Sequence, residues 1–145
     1  MKRGYFGIGV ENIKYPGNIG TLFRSAYILG ASFVFVVGER YKKYRGDTIK
    51  TWKHMPQYYY NNFDDFYSHM PKSCKLVGIE INDRSRPLKN FVHPGSCVYV
   101  LGSEDKGLSE KCLSKCNSVV QLPGDICMNV SVAGSIVMYD RESKK

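Results

Sequence analysis

The chain has 145 residues, 43% of them hydrophobic, which is enough for one packed domain and too little for two ordinary ones. Its 21 Lys and Arg outnumber 13 Asp and Glu, and the resulting net charge of +8 suits a polyanionic partner without naming one. No apolar run approaches the roughly 20 residues of a membrane span, and Met1-Lys-Arg-Gly-Tyr-Phe-Gly7 lacks the apolar region of a secretory signal, so the expectation is a cytoplasmic protein with no membrane contact.

Tyr5-Phe-Gly-Ile-Gly-Val10 predicts a buried first strand. The turn at Tyr15-Pro-Gly17 leads into a helix over Asn18 to Leu29, with Asn18 placed to cap it and Gly30 to stop it. Leu22, Ala26 and Leu29 recur there at helical spacing. Phe33-Val-Phe-Val-Val37, ended by Gly38, predicts a second strand. From Glu39 to Lys53 the chain turns polar and basic, a surface excursion with a short helix at Asp47 to Trp52. Tyr58-Tyr-Tyr60 reads as a short strand, Phe63 to Met70 as a short helix closed by Pro71, Lys75 to Ile81 as a strand, and Asn82 to Pro87 as a polar loop. Ser96 to Leu101 is the next strand and runs into Gly102-Ser-Glu-Asp-Lys-Gly107. A helix from Leu108 to Lys115 and a strand from Ser118 to Leu122 follow. Strands and helices alternate throughout, the pattern of an α/β fold with a mostly parallel sheet and helices on both faces.

The C-terminal stretch from Gln121 to Tyr139 organises the rest. Pro123, Gly124 and Asp125 mark a turn leaving a strand, and from Val130 onward Val132, Ala133, Ile136, Val137 and Met138 make a segment apolar on nearly every side, which predicts a buried helix. Asn129 and Ser131 are polar at its start. A side-chain oxygen there either caps orphan helix amides or is aimed at a ligand.

Cys74, Cys97, Cys112, Cys116 and Cys127 are odd in number and form no C-x-x-C pair, so reduced thiols with no metal are expected. His54, His69 and His93 have no triad spacing and read as structural or surface residues. Gly7-Ile-Gly9 lies inside a strand, without the third glycine of a dinucleotide loop. G-x-x-x-x-G-K-[ST], H-E-x-x-H and G-x-S-x-G are all missing, which argues against P-loop enzymes, zincins and the usual serine hydrolases.

In open α/β sheets ligands bind beyond the carboxyl ends of strands, and three polar, glycine-rich places follow strands or turns here. They are Asn18-Ile-Gly-Thr-Leu-Phe-Arg24, preceded by Glu11-Asn12 and Pro16; Val100-Leu-Gly-Ser-Glu-Asp-Lys-Gly-Leu108; and Leu122-Pro through Asn129-Val-Ser-Val-Ala133. In order and spacing they resemble the N-x-G-x-x-x-R, G-x-E-x-x-G-L and N-V-S-x-A motifs of the SpoU/TrmH branch of the SPOUT methyltransferases. The loop from Pro123 to Asn129 is shorter than in many members.

The resemblance implies a C-terminal trefoil knot and S-adenosylmethionine as the cofactor. It implies a homodimer that methylates a ribose 2′-hydroxyl in tRNA or rRNA; the length predicts a single domain over residues 1–145, and, unlike many members, no separate RNA-binding extension is expected. The alternative is a SPOUT-fold protein that binds RNA without catalysis. The resemblance assigns Arg24, Asn18, Glu104, Asn129 and Ser131 to the catalytic site. Arg24 would bind the phosphate and stabilise developing alkoxide charge, because a guanidinium is a poor proton acceptor. Glu104 would orient Asn18 or Arg24, while Asn129 and Ser131 would orient ribose and cofactor. Ile79, Glu80, Gly102, Leu122 and Met128 would hold the cofactor. Tyr41-Lys-Lys-Tyr-Arg45 interleaves aromatics with cations, which fits RNA contacts through Lys42, Lys43 and Arg45 and fits a solvated basic loop equally well.

Overall fold

Phe33-Val-Phe-Val-Val37 carries no polar side chain on either face, and such a strand is stable only when both sides are covered. The computed structural model describes residues 4–40 and 55–145 and places this segment in a fully parallel sheet. In chain order the elements are β1 (Tyr5–Glu11), α1 (Gly17–Ile28), β2 (Phe33–Val37), β3 (Gln57–Tyr60), α2 (Phe63–His69), β4 (Lys75–Ile79), β5 (Arg86–Pro87), a 3₁₀ turn (Leu88–Asn90), β6 (Ser96–Leu101), α3 (Glu110–Lys115), β7 (Ser118–Gln121) and α4 (Val130–Ser143). The sheet order is β3-β2-β1-β6-β4-β7-β5. Ile8 therefore stands between Val34 of β2 and Tyr99 of β6.

Strand alternation divides the core in two. Phe6, Ile8, Val10, Val34, Val36 and Tyr99 face α1 and α4, whereas Phe35, Val37, Val98, Val100 and Val119 face the side of α2 and α3. On the first side α1 and α4 approach so closely that a Cβ on Gly134 would collide with the Leu22 side chain.

The far end of α4 is tied down by polar contacts. Arg141, 7% exposed, donates to the carbonyls of Pro94 (2.7 Å) and Gly95 (2.8 Å) and to the Tyr99 hydroxyl (3.3 Å). His93 bridges the Tyr99 hydroxyl at Nδ1 (2.6 Å) and Asp140 at Nε2 (2.7 Å). Lys144 donates to the carbonyls of Leu88 and Phe91. His93 is thus structural, and His69 is a surface residue bonded to Asp65.

Several local expectations need correction. Asn18 does not cap α1: Pro16 occupies the cap position, already in helical conformation, and the Asn18 side chain is taken by distant partners described below. β4 stops at Ile79 rather than Ile81, because the next residue, Glu80, turns its carboxylate back to accept from the Ile81 amide and, across the fold, from the Leu108 amide. The polar stretch before Leu88 contains the short edge strand β5, paired with β7. α3 starts at Glu110, where the Ser109 hydroxyl accepts from the Cys112 amide as an N-cap. α4 is not buried on all sides: Val132, Ile136 and Tyr139 recur at i, i+4 and i+7 and remain exposed. The helix expected at Asp47 to Trp52 lies outside the described residues.

Candidate active site

β4, β6 and β7 lie side by side, and the loops leaving their carboxyl ends enclose a cleft of about 720 Å³. Its walls include apolar Ile79, Leu101, Leu122, Val130 and Ala133, and its rim includes Tyr15, Asn18, Glu104 and Asn129. Size and lining suit a small organic ligand of nucleoside dimensions.

The second wall is a loop stapled from several directions. Ser103 and Gly107 exchange backbone hydrogen bonds, and the Ser103 hydroxyl accepts from the Lys106 amide (3.0 Å). Gly102 faces the returning backbone of Gly107 and Leu108 so closely that any Cβ would overlap it. Its lack of a side chain is therefore required by the chain itself. Glu80 holds the Leu108 amide (2.8 Å), and buried Glu11 accepts from both the amide (2.8 Å) and the hydroxyl (2.7 Å) of Ser109. Arg40 fastens the tip through Asp105 (3.2 Å), and this guanidinium holds the Asp105 carboxyl down at about 2. Behind the loop, Arg84 closes the end of α3 on the carbonyls of Leu113 (2.7 Å) and Cys116 (3.0 Å).

Across the mouth runs one continuous relay. Glu104 accepts from the Lys14 amide (2.9 Å), the Tyr15 amide (3.0 Å) and Asn18 Nδ2 (2.8 Å). Asn18 Oδ1 accepts from Asn129 Nδ2 (3.0 Å). Asn129 Oδ1 in turn accepts from the amides of Ser131 (2.9 Å) and Val132 (3.3 Å) and from the Ser131 hydroxyl (2.6 Å). Asn129 is thus the N-cap of α4 and a member of the relay at once. Both ends fix its direction, since a carboxylate accepts only and helix amides donate only. Burial alone would raise the Glu104 carboxyl, but the amides of Lys14 and Tyr15 and the side chain of Asn18 outweigh it and hold the group below its ordinary value.

Of the residues expected from sequence, Asn18, Glu104 and Asn129 are brought into direct contact. Ile79, Glu80, Gly102, Leu122 and Met128 all line the cleft. Ser131 is buried just behind Asn129. Arg24 does not line the cleft: it stands on the exposed face of α1, on the same side as Ile28. Lys42, Lys43 and Arg45 lie outside the described residues. Sequence reasoning passed over Glu11 and Arg40 as site supports. Glu11 precedes the first motif with no role assigned to it, and a carboxylate ending a strand as apolar as β1 is the further signal that it has one. No group of His, Cys, Asp and Glu suited to a metal occurs among the described residues, and all five cysteines are free.

Comparison with known proteins places this geometry. The SpoU rRNA Methylase family matches over residues 6–139, nearly the whole chain. The chain belongs to the SpoU family. Among individual relatives it is 24% identical to the 23S rRNA (guanosine-2′-O-)-methyltransferase RlmB of Acinetobacter baylyi, covering 92% of this chain and 57% of that protein. It is 25% identical to the tRNA (cytidine-2′-O-)-methyltransferase TrmJ of Methanocaldococcus jannaschii, covering 92% and 66%. The SpoU methyltransferase AviRb of Streptomyces viridochromogenes, solved in complex with AdoMet, superposes with a TM-score of 0.81 at 21% identity, over 99% of this chain and 59% of that one. The chain spans 45% to 66% of the length of the first three curated relatives it matches. The SpoU fold is thereby established, and a C-terminal trefoil knot is expected of it.

Proposed function

We propose that this SpoU-family chain is an S-adenosylmethionine-dependent methyltransferase acting on a ribose 2′-hydroxyl of tRNA or rRNA, as a homodimer in the cytoplasm. The observation that carries the reading is the relay from Glu104 through Asn18 to Asn129. It joins the three family motifs in one hydrogen-bonded unit at the mouth of a cleft of fitting size.

The residues present fit the cofactor. Ile79, Leu101, Leu122 and Val130 give apolar walls for a nucleoside, and the carboxylates of Glu80, Glu104 and Glu110 supply a negative surround for a sulfonium and an ammonium group. S-adenosylmethionine, when bound, supplies an electrophilic methyl group on a positively charged sulfur. Ile79, Glu80, Gly102, Leu122 and Met128 would hold it. Three donors fill Asn129 Oδ1, while Asn18 Oδ1 accepts only from Asn129, and each amide keeps a second Nδ2 N–H that it would offer to substrate oxygens. Glu104 positions Asn18. With its acceptors engaged and its carboxyl held low, it is ill suited to take the ribose proton. A phosphate oxygen or water would take that proton, and Arg24 would bind the phosphate and stabilise the alkoxide. Lys42, Lys43 and Arg45 would contribute RNA contacts.

The homodimer is supported by an apolar stripe. Val132, Ile136 and Tyr139 on α4, with Tyr27 and Ile28 on the adjoining α1, leave large side chains exposed on helices that pack together. Arg24 shares the exposed side of α1, so a second copy seated there would complete its surroundings.

Calorimetry with S-adenosylmethionine in the presence of a chelator tests the cofactor. Metal-independent binding is expected, and no binding at millimolar cofactor would remove the enzyme reading. Comparison of ribose methylation in RNA from cells with and without the protein tests the reaction and identifies the nucleotide.

A further inference from the structure

Tyr15 is a large aromatic residue that remains 54% exposed while lining the cleft. Single exposed aromatics are ordinary, but this one is held in place by unusual means. Its amide donates to Glu104, as does the amide of Lys14 before it, across some 90 residues of sequence. Its carbonyl accepts from the Asn18 amide (3.0 Å), and Pro16 fixes the backbone that follows. The ring is thus mounted on a loop clamped to the relay and stands beside Asn18 at the rim. The Lys14 ammonium lies over one face of the ring, 5.3 Å from its centroid, so a base would stack on the opposite face.

We propose that Tyr15, with Lys14 beside it, is the platform on which an unstacked base of the RNA substrate rests while its ribose meets the relay. The proposal builds on the RNA methyltransferase reading and adds a substrate class to it. In a duplex both faces of a base are already covered by neighbouring pairs, so a base that stacks on Tyr15 must be splayed out of a loop, bulge or single strand. Aromatic stacking tolerates any base, so it selects for strandedness before sequence. Lys14 supplies a positive charge for the adjacent phosphate. An apolar partner protein would gain nothing from the ammonium beside the ring.

The test uses a short RNA carrying 2-aminopurine, single-stranded or annealed to its complement, with wild-type protein, Tyr15→Ala, Tyr15→Leu and Tyr15→Phe. The wild type is expected to bind the single strand more tightly than the duplex at equal salt and to quench the fluorophore. Tyr15→Ala and Tyr15→Leu should weaken single-strand binding about tenfold or more, and Tyr15→Phe should restore it. S-adenosylmethionine affinity and sedimentation should be unchanged in all variants. Equal RNA binding by Tyr15→Ala and wild type would overturn the platform and leave the methyltransferase reading standing. A parallel loss of cofactor affinity would assign the ring to the cofactor instead, and a change from dimer to monomer would assign it to the contact between copies. Either result overturns the proposal. Failure of the wild type to bind either RNA would overturn the RNA reading itself, and the platform with it.

Discussion

At the scale of single residues, Asn129 has one side-chain oxygen and three groups donating to it, while its Nδ2 serves Asn18. Helix capping and site assembly are therefore functions of opposite ends of one amide, and a substitution separates them. Asn129→Asp keeps an acceptor for the α4 amides, and aspartate caps as well as asparagine. It cannot donate to Asn18. Thermal stability should stay close to wild type while methylation falls about tenfold or more, the cost of one unmet polar partner. Equal losses of stability and turnover would reduce Asn129 to a cap. Arg24→Ala should lower single-turnover methylation by about 10²-fold with cofactor binding unchanged, as loss of an oxyanion donor does. Arg24→Lys should rescue little, because an ammonium lacks the planar fork. Near-normal turnover in Arg24→Ala would return this arginine to the surface of α1. The residue types of the site were legible in the sequence, but their partners were not. Asn18 sits where a cap is common, yet its contacts come from 86 and 111 residues away, beyond any local rule. Gly102, expected to hold the cofactor, does line the cleft, but the place a side chain would take is filled by the chain's own Gly107 and Leu108.

At the scale of elements, nearly every strand and helix could be read from apolar runs and their turn residues. α4 shows the limit of that reading. Its composition predicts burial on all sides, but apolarity says only that a surface seeks cover, not whether the cover is its own sheet or another chain. Its polar far end was equally hidden, since Arg141 and His93 find partners only after β6 and the Pro94–Gly95 turn are in place. That end makes stability depend on pH. Asp140 is held below its ordinary value and stays charged: burial works against this, but Lys144 and His93 outweigh it. His93 therefore donates from Nε2 to Asp140 and accepts the Tyr99 proton at Nδ1, the neutral tautomer. Burial lowers its pKa despite Asp140, with Lys144 and Arg141 adding repulsion, while Tyr99 and the Phe91 ring are neutral neighbours. Because the folded value lies below the unfolded 6.5, the unfolded chain takes up the proton first. Stability should thus fall as pH drops below 6.5 toward the folded value. His93→Gln, which offers a donor and an acceptor without titrating, should flatten that part of the profile. Urea midpoints across the range decide it, and an identical slope in the variant would exclude His93 as the cause.

At the scale of the whole molecule, the stripe of Val132, Ile136 and Tyr139 predicts assembly. Ile136→Glu combined with Tyr139→Glu should convert a dimer to a monomer in sedimentation, abolish methylation and spare cofactor binding. A wild-type monomer with full activity would contradict a site shared between copies. The strand order has a consequence of another kind, in time rather than space. β6 lies between β1 and β4, and all pairings in the sheet are parallel, so no two neighbouring strands are joined by a tight hairpin. The contacts that join the motifs, Glu104 to Lys14, Tyr15 and Asn18 and Asn18 to Asn129, each close a long loop, and the entropy of closure must be met before the contact rewards it. Such a chain refolds in roughly milliseconds to seconds rather than microseconds. Helical signal should recover well before the cleft exists, and the capacity to bind S-adenosylmethionine should be the last property to return.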